Sequence, residues 1–208
     1  GLGSFGVQLC AVTGANAIGI VGSDDKKEHV LSLGAKGVLN RKDFNCWGQL
    51  PTVNGPEFKD YMKESRKFGK AIWELTDKKD VDIVFEHPGE STFPVSVFVV
   101  KRGGMVVICA GTTGFNLTMD ARFLWMRQKR VQGSHFANLK QASAANQLVI
   151  NRRIDPGMSE VFPWEDIPAA HDKMLDNKHL PGNMAVLVTS PKPGLRTVED
   201  VLAVNGQA

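Results

Sequence analysis

Gly1-Leu2-Gly3-Ser4-Phe5-Gly6 spaces three glycines as a turn that lets backbone close around a phosphate, with helix amides behind it facing the negative charge. Gly1 and Gly3 are the positions expected to approach a pyrophosphate. The string alone is weak, since loops and helix starts produce it by chance. Helix-type apolar spacing over residues 7–12 and the apolar run Ala17-Ile18-Gly19-Ile20-Val21 strengthen it. Such a turn follows a β-strand, so the chain is expected to be the C-terminal part of a longer dinucleotide enzyme.

The tip of the second strand in such a unit selects the dinucleotide. An acid there bonds both ribose hydroxyls and repels a 2′-phosphate. Here the tip reads Gly22-Ser23-Asp24-Asp25-Lys26-Lys27. Ser23 is small enough to admit a phosphate and Lys26 follows it, whereas Asp24 and Asp25 argue the other way or cap the next helix. Arg41, past the third strand, can stack on adenine or pair with the phosphate. The balance favours NADPH over NADH.

Two further loops carry chemistry. Phe85-Glu86-His87-Pro88-Gly89 and Cys109-Ala110-Gly111-Thr112-Thr113-Gly114 follow the fourth and fifth strands. Ligands in open α/β sheets sit outside these carboxyl ends, which puts Glu86, His87 and Thr112 toward a cofactor. His87 reads either as catalytic or as a hydrogen-bonded structural histidine.

The elements that position these groups alternate strand and helix. Strands are expected at residues 17–21, 37–39, 81–85, 105–110 and 130–133. Helices are expected at 26–33, 91–100, 123–126 and 139–151, with 70–76 as the end of another and Asn138 as an N-cap. Gly103-Gly104 reads as a turn. Residues 41–69, with Pro51 and Pro56, are too long for an ordinary connection and read as an ordered insertion. This is a doubly wound α/β sheet of the Rossmann kind, lacking its first strand. Residues 1–151 are expected to form the NADP-binding domain, truncated at its N-terminus. Residues 152–208 return to a catalytic domain, through a helix at 165–176 and a strand at 184–189, and 191–208 show no clear role.

Composition sets the limits. The net charge of +3 comes from 25 basic residues scattered among 22 acids, which disfavours nucleic acid. Cys10, Cys46 and Cys109 are too dispersed for a zinc site or a disulfide framework and fit a reducing cytoplasm. The longest apolar runs are too short to span a bilayer, so no membrane partner is expected.

Phe85-Glu86-His87-Pro88-Gly89, Phe123-Leu124-Trp125-Met126 and Gly133-Ser134-His135-Phe136-Ala137-Asn138 together resemble the crotonyl-CoA carboxylase/reductases of the medium-chain dehydrogenase/reductase superfamily. The resemblance runs from Gly1 to about Val188. It implies NADPH-dependent reductive carboxylation of an enoyl-CoA: hydride adds to the β-carbon, and the resulting enolate attacks CO2 in a dry pocket. It implies that His135 belongs to that pocket, as an imidazole donating a hydrogen bond, and that Arg102 and Arg122 lie near the CoA phosphates. Phe98 and Phe123 stand where the family often has Tyr, which removes a hydroxyl from each position. A homotetramer is also implied. Non-carboxylating enoyl-CoA or quinone reduction, and nucleotide binding without catalysis, remain the alternatives.

Overall fold

The computed structural model describes residues 1–176, 178–180 and 182–188. In chain order the elements are α1 (Leu2–Thr13), β1 (Ile18–Val21), α2 (Lys27–Ser32), β2 (Gly37–Asn40), α3 (Phe58–Leu75), β3 (Val81–Glu86), α4 (Phe93–Val99), β4 (Val100–Ile108), α5 (Arg122–Trp125), β5 (Arg130–Gly133), α6 (Leu139–Ile150), β6 (Met158–Pro163), α7 (Ile167–Leu175) and β7 (Asn183–Leu187). They divide into two compact units. One is Ile18–Ala137; the other joins Gly1–Ala17 to the described residues from Asn138 onward.

In the first unit every strand pair is parallel. β1 pairs with β2, and β3, β4 and β5 follow one another in a second sheet. These are the two flanks of a doubly wound 3-2-1-4-5-6 order, with the helices as crossovers. Two glycines bring helices close to the first sheet. A Cβ on Gly19 would sit 2.7 Å from Val30 of α2, and one on Gly37 would sit 2.7 Å from Leu75 of α3.

α3 starts at Phe58 and ends at Leu75, so the helix whose end is expected at 70–76 takes in the second half of the expected insertion. Its buried residues Tyr61, Ser65, Phe68 and Ile72 recur at helical spacing on one face. Pro51 and Pro56 precede that face, and the charged residues between its members mask the period. Phe68 meets Phe44 at 5.0 Å and Trp47 at 5.2 Å, edge to face, so the remaining irregular run packs onto the helix. β4 also begins early, at Val100, because Gly103 (φ +70°) permits a register shift against β3 between Val81 and Ile83 in place of a turn. Phe93, Val97, Val100 and Val106 form the core beneath the second sheet.

In the other unit α1 begins after Gly1 and ends at Gly14, which takes the left-handed conformation (φ +78°) that stops helices. The buried Gln8 side chain exchanges two hydrogen bonds with the Asp155 backbone, at 2.9 and 2.7 Å, which ties α1 to the run before β6. β6, α7 and β7 make a parallel β-α-β unit. Asn138 caps α6 as expected, in a capping box with Gln141. The C-terminal strand is described from Asn183 to Leu187. Thr189 and the tail 191–208 lie outside the described residues. Among the described residues no helix is long and apolar enough to cross a membrane.

Candidate cofactor and substrate site

The glycine turn is the mouth of α1. Gly1 is its N-cap, while Gly3 and Gly6 lie within the helix with open space where a Cβ would be. That leaves the first-turn amides without intrahelical partners, the arrangement that suits an anion. In the same unit a Cβ on Gly1 would come 2.8 Å from Asn183 Oδ1, so the start of β7 stands against this helix mouth.

At the tips of β1 and β2 the charges sort themselves. Asp24 is taken up: Lys27 Nζ lies 2.7 Å from its carboxylate and Asn40 Nδ2 donates to it at 3.1 Å. Those two partners hold its pKa below the ordinary value. Ser23 is extended and its hydroxyl caps nothing. Arg41 packs against Gly22, where an added Cβ would meet its Nε at 3.6 Å. Lys26 is exposed and has no ion-pair partner among the described residues. The tip therefore presents Ser23, Lys26 and Arg41, while its nearer acid is neutralised by Lys27.

The loop after β3 is built around a buried acid. Glu86 is 2% exposed and accepts from Gly89 N at 3.0 Å, from the Thr92 hydroxyl at 2.5 Å and from the Ser96 hydroxyl. Thr92 and Ser96 lie at the start of α4 and within it, so one carboxylate binds the strand, its loop and the next helix together. Sequence reasoning singled out Glu86 but not these donors, since nothing in their spacing marks them. His87 is half-buried, and its ring has no hydrogen-bond partner among the described residues. Gly89 (φ +87°) lets this loop meet the next one, for a Cβ there would be 2.8 Å from Gly111 Cα. Thr112 is exposed on that next loop, beside an open cleft of about 220 Å³ lined by Ile108, Ala110, Gly111, Gly114, Phe115 and Leu117.

His135 follows β5. Ser134 N donates to Ile108 O at 2.8 Å, which extends the pairing with β4 by one residue. Beyond it the chain is open: His135 is exposed, with its ring 3.8 Å from that of Phe136. Phe136 is 90% exposed and left-handed (φ +55°), a conformation that is uncommon for a bulky side chain. Thus β3, β4 and β5 bring Glu86, His87, Thr112 and His135 to the carboxyl ends of one sheet.

The two arginines differ. Arg122 makes a bidentate pair with the nearly buried Asp120, through Nε at 2.9 Å and Nη2 at 2.6 Å. The guanidinium keeps that carboxyl below its usual range. The Asp-x-Arg spacing was the available signal for this partner. Arg102 is exposed, lies within the shifted stretch of β4 and shares no strand end with the other groups. No cluster of three or more His, Cys, Asp or Glu suited to a metal occurs among the described residues.

Residues 1–151 match the family model described as zinc-binding dehydrogenase. The metal in that description finds no donor set among the described residues. The chain is 68% identical, over its whole length, to a crotonyl-CoA carboxylase/reductase of Cereibacter sphaeroides, of which it spans 49%. A solved crotonyl-CoA carboxylase/reductase structure superposes with a TM-score of 0.92 at 71% identity, covering 98% of this chain and 48% of that one. A 2-octenoyl-CoA carboxylase reductase in complex with NADP and 2-octenoyl-CoA superposes with a TM-score of 0.80 at 33% identity, covering 99% and 45% respectively. The chain thus spans about half the length of the relatives it matches. By its strand order, its glycine-led helix and these likenesses, the chain belongs to the zinc-binding dehydrogenase family, within the medium-chain dehydrogenase/reductase superfamily.

Proposed function

We propose that this chain is the dinucleotide-binding part of an NADPH-dependent enoyl-CoA carboxylase/reductase, acting on crotonyl-CoA or a close analogue. The observation that carries the reading is the 68% identity to a crotonyl-CoA carboxylase/reductase along the entire chain. NADPH, when bound, supplies a hydride to the β-carbon of the unsaturated thioester. The residues here do the rest. Gly1 and Gly3 admit the pyrophosphate to the mouth of α1. Ser23, Lys26 and Arg41 receive the 2′-phosphate, a role supported by the engagement of Asp24 with Lys27 and Asn40. Glu86 acts by holding its loop, so that His87 and Thr112 border the reacting end.

Negative charge then builds on the thioester oxygen and α-carbon. CO2 is neutral and linear, so it is held by oriented donors with water excluded, and His135 donates one such hydrogen bond. Arg102 and Arg122 bind the CoA phosphates, Arg122 through the guanidinium edge that Asp120 leaves free.

In this proposal the chain works within a longer cytoplasmic polypeptide. Residues 1–151 complete their sheet with a strand between β1 and β3, and the described residues from 152 onward return to the catalytic domain. Exposed Ile20, Ile83 and Phe85 at those flanking strands are consistent with such a neighbour. Four copies assemble through the edge strand β5.

The test gives the full-length polypeptide crotonyl-CoA and NADPH, with and without bicarbonate and carbonic anhydrase, and identifies products by mass spectrometry. Ethylmalonyl-CoA is expected. Butyryl-CoA alone would reduce the protein to a plain reductase. Exchanging NADPH for NADH, or Arg41 for Ala, is expected to raise the cofactor KM about 10- to 100-fold, as for loss of one charged hydrogen bond.

A further inference from the structure

Beyond Arg41, the irregular run between β2 and α3 has no part in the cofactor contacts proposed above. Its first ten residues, 41–50, are bonded at both ends. At the start, Lys42 N donates to Asn40 Oδ1 at 3.0 Å and Trp47 Nε1 donates to Arg41 O at 2.7 Å. Trp47 itself stands edge-on to Phe68, so the backbone at Arg41 is fixed against the core of α3.

The far end bonds to neither α3 nor β2. Gly48 N donates to Ser91 O at 2.6 Å, Gln49 Nε2 to Glu90 Oε1, and Leu50 N to Thr118 Oγ1 at 2.9 Å. Glu90 and Ser91 belong to the loop after β3, and Thr118 to the loop after β4. Glu90 goes on to join those two loops: its other oxygen accepts from Asn116 N at 3.3 Å and its own N–H donates to Gly114 O at 3.3 Å. Gly114 is left-handed (φ +135°), and a Cβ there would lie 2.1 Å from Glu90 Oε2, so glycine makes room for the carboxylate. Thr113 closes the same seam, accepting from Ser91 N at 3.0 Å and donating to Pro88 O at 2.8 Å.

We infer that residues 41–50 are a tie across the dinucleotide cleft, and that Glu90, clasped by Gln49, is a positioning residue for NADPH. The tie rests on the cofactor reading proposed above. It links the strand tip carrying Arg41 to both loops carrying His87 and Thr112, so the two ends of the cofactor are gripped by one hydrogen-bonded frame. A surface elaboration that merely packs on α3 accounts for Phe44, Cys46 and Trp47. It does not account for three consecutive residues bonded to the two loops.

The experiment measures NADPH affinity by cofactor fluorescence, together with KM and kcat, in the full-length polypeptide. The variants are Gln49→Ala, Glu90→Ala, Glu90→Gln and the double alanine. Each single alanine is expected to raise Kd and KM for NADPH about five- to tenfold, with kcat at saturation within about twofold. The double variant is expected to be no worse than the weaker single one, and Glu90→Gln, which keeps one acceptor oxygen, to recover most of the affinity. An unchanged NADPH Kd in both single alanines would overturn the tie. So would a loss confined to thermal midpoint and active fraction, since that is all a structural brace would lose. A wild-type protein that binds no NADPH would sink the dinucleotide reading itself, and the tie with it.

Discussion

The loop after β3 and the loop after β5 leave the same sheet in the same direction, yet they are finished differently. The first folds around Glu86, a carboxylate enclosed by three donors from its own loop and helix. The second ends in exposed His135 beside a strained, exposed Phe136. A carboxylate whose hydrogen bonds are met within its own loop and helix serves as a scaffold. A loop that holds strain and leaves a ring open has its partners elsewhere, in a ligand or in another part of the protein. The contrast separates the residue that shapes the site from the residue proposed to act in it.

The largest test of that contrast is Glu86→Ala. It strands three donors and opens a cavity in a closed region, and is expected to cost about 3–5 kcal/mol in urea unfolding. A loss below about 1 kcal/mol would remove the scaffold half of the comparison.

Lys129, one residue before β5, ties the start of that strand to the end of α4 and gives a finer test. Its Nζ donates to Val97 O and Phe98 O at the end of α4, both at 2.8 Å, and lies 4.9 Å from the Phe123 ring centroid. Lys129→Met is expected to cost about 1–3 kcal/mol by leaving those carbonyls unpaired. Burial lowers the Lys129 pKa from 10.5 to about 8. Between those values the unfolded chain holds a proton the folded chain has released, so this group makes stability rise with pH across that window. Cys46 and Tyr61, both pushed up to about 12 by burial, act with the opposite sign from about pH 9 upward. The rise is therefore read as the difference between wild type and Lys129→Met, starting near pH 8. A flat difference would contradict it.

Much of this architecture was legible. Parallel buried strands announce themselves as short apolar runs, and the segments from β1 to β5 fall where those runs lie. The misplacements have physical causes. α3 was hidden because its core face, Tyr61, Ser65, Phe68 and Ile72, is interleaved with charges and preceded by prolines. β4 was cut short because paired glycines signal a turn, whereas here they absorb a register shift. In the site, residue type gave the candidates but not their partners. The enclosure of Glu86 by Thr92 and Ser96, and the Gln49–Glu90 clasp across 41 positions, depend on tertiary contact that no local spacing encodes.

A smaller effect is expected at Phe136. Phe136→Gly relieves the left-handed strain and is expected to stabilise the fold by about 0.5–1 kcal/mol, while loosening His135 and lowering the carboxylated fraction of product. Destabilisation instead would show that the Phe136 ring packs against something the protein needs.

His135→Ala is expected to move stability least, by under about 0.5 kcal/mol, because the side chain is exposed and unbonded among the described residues. Its effect belongs in the chemistry. The decisive measurement is the ratio of ethylmalonyl-CoA to butyryl-CoA formed by full-length His135→Ala at saturating NADPH, crotonyl-CoA and CO2. The expected result is at least a roughly tenfold fall in that ratio with NADPH oxidation retained, the loss of about one hydrogen bond to the developing charge. A ratio equal to that of the wild type would contradict it.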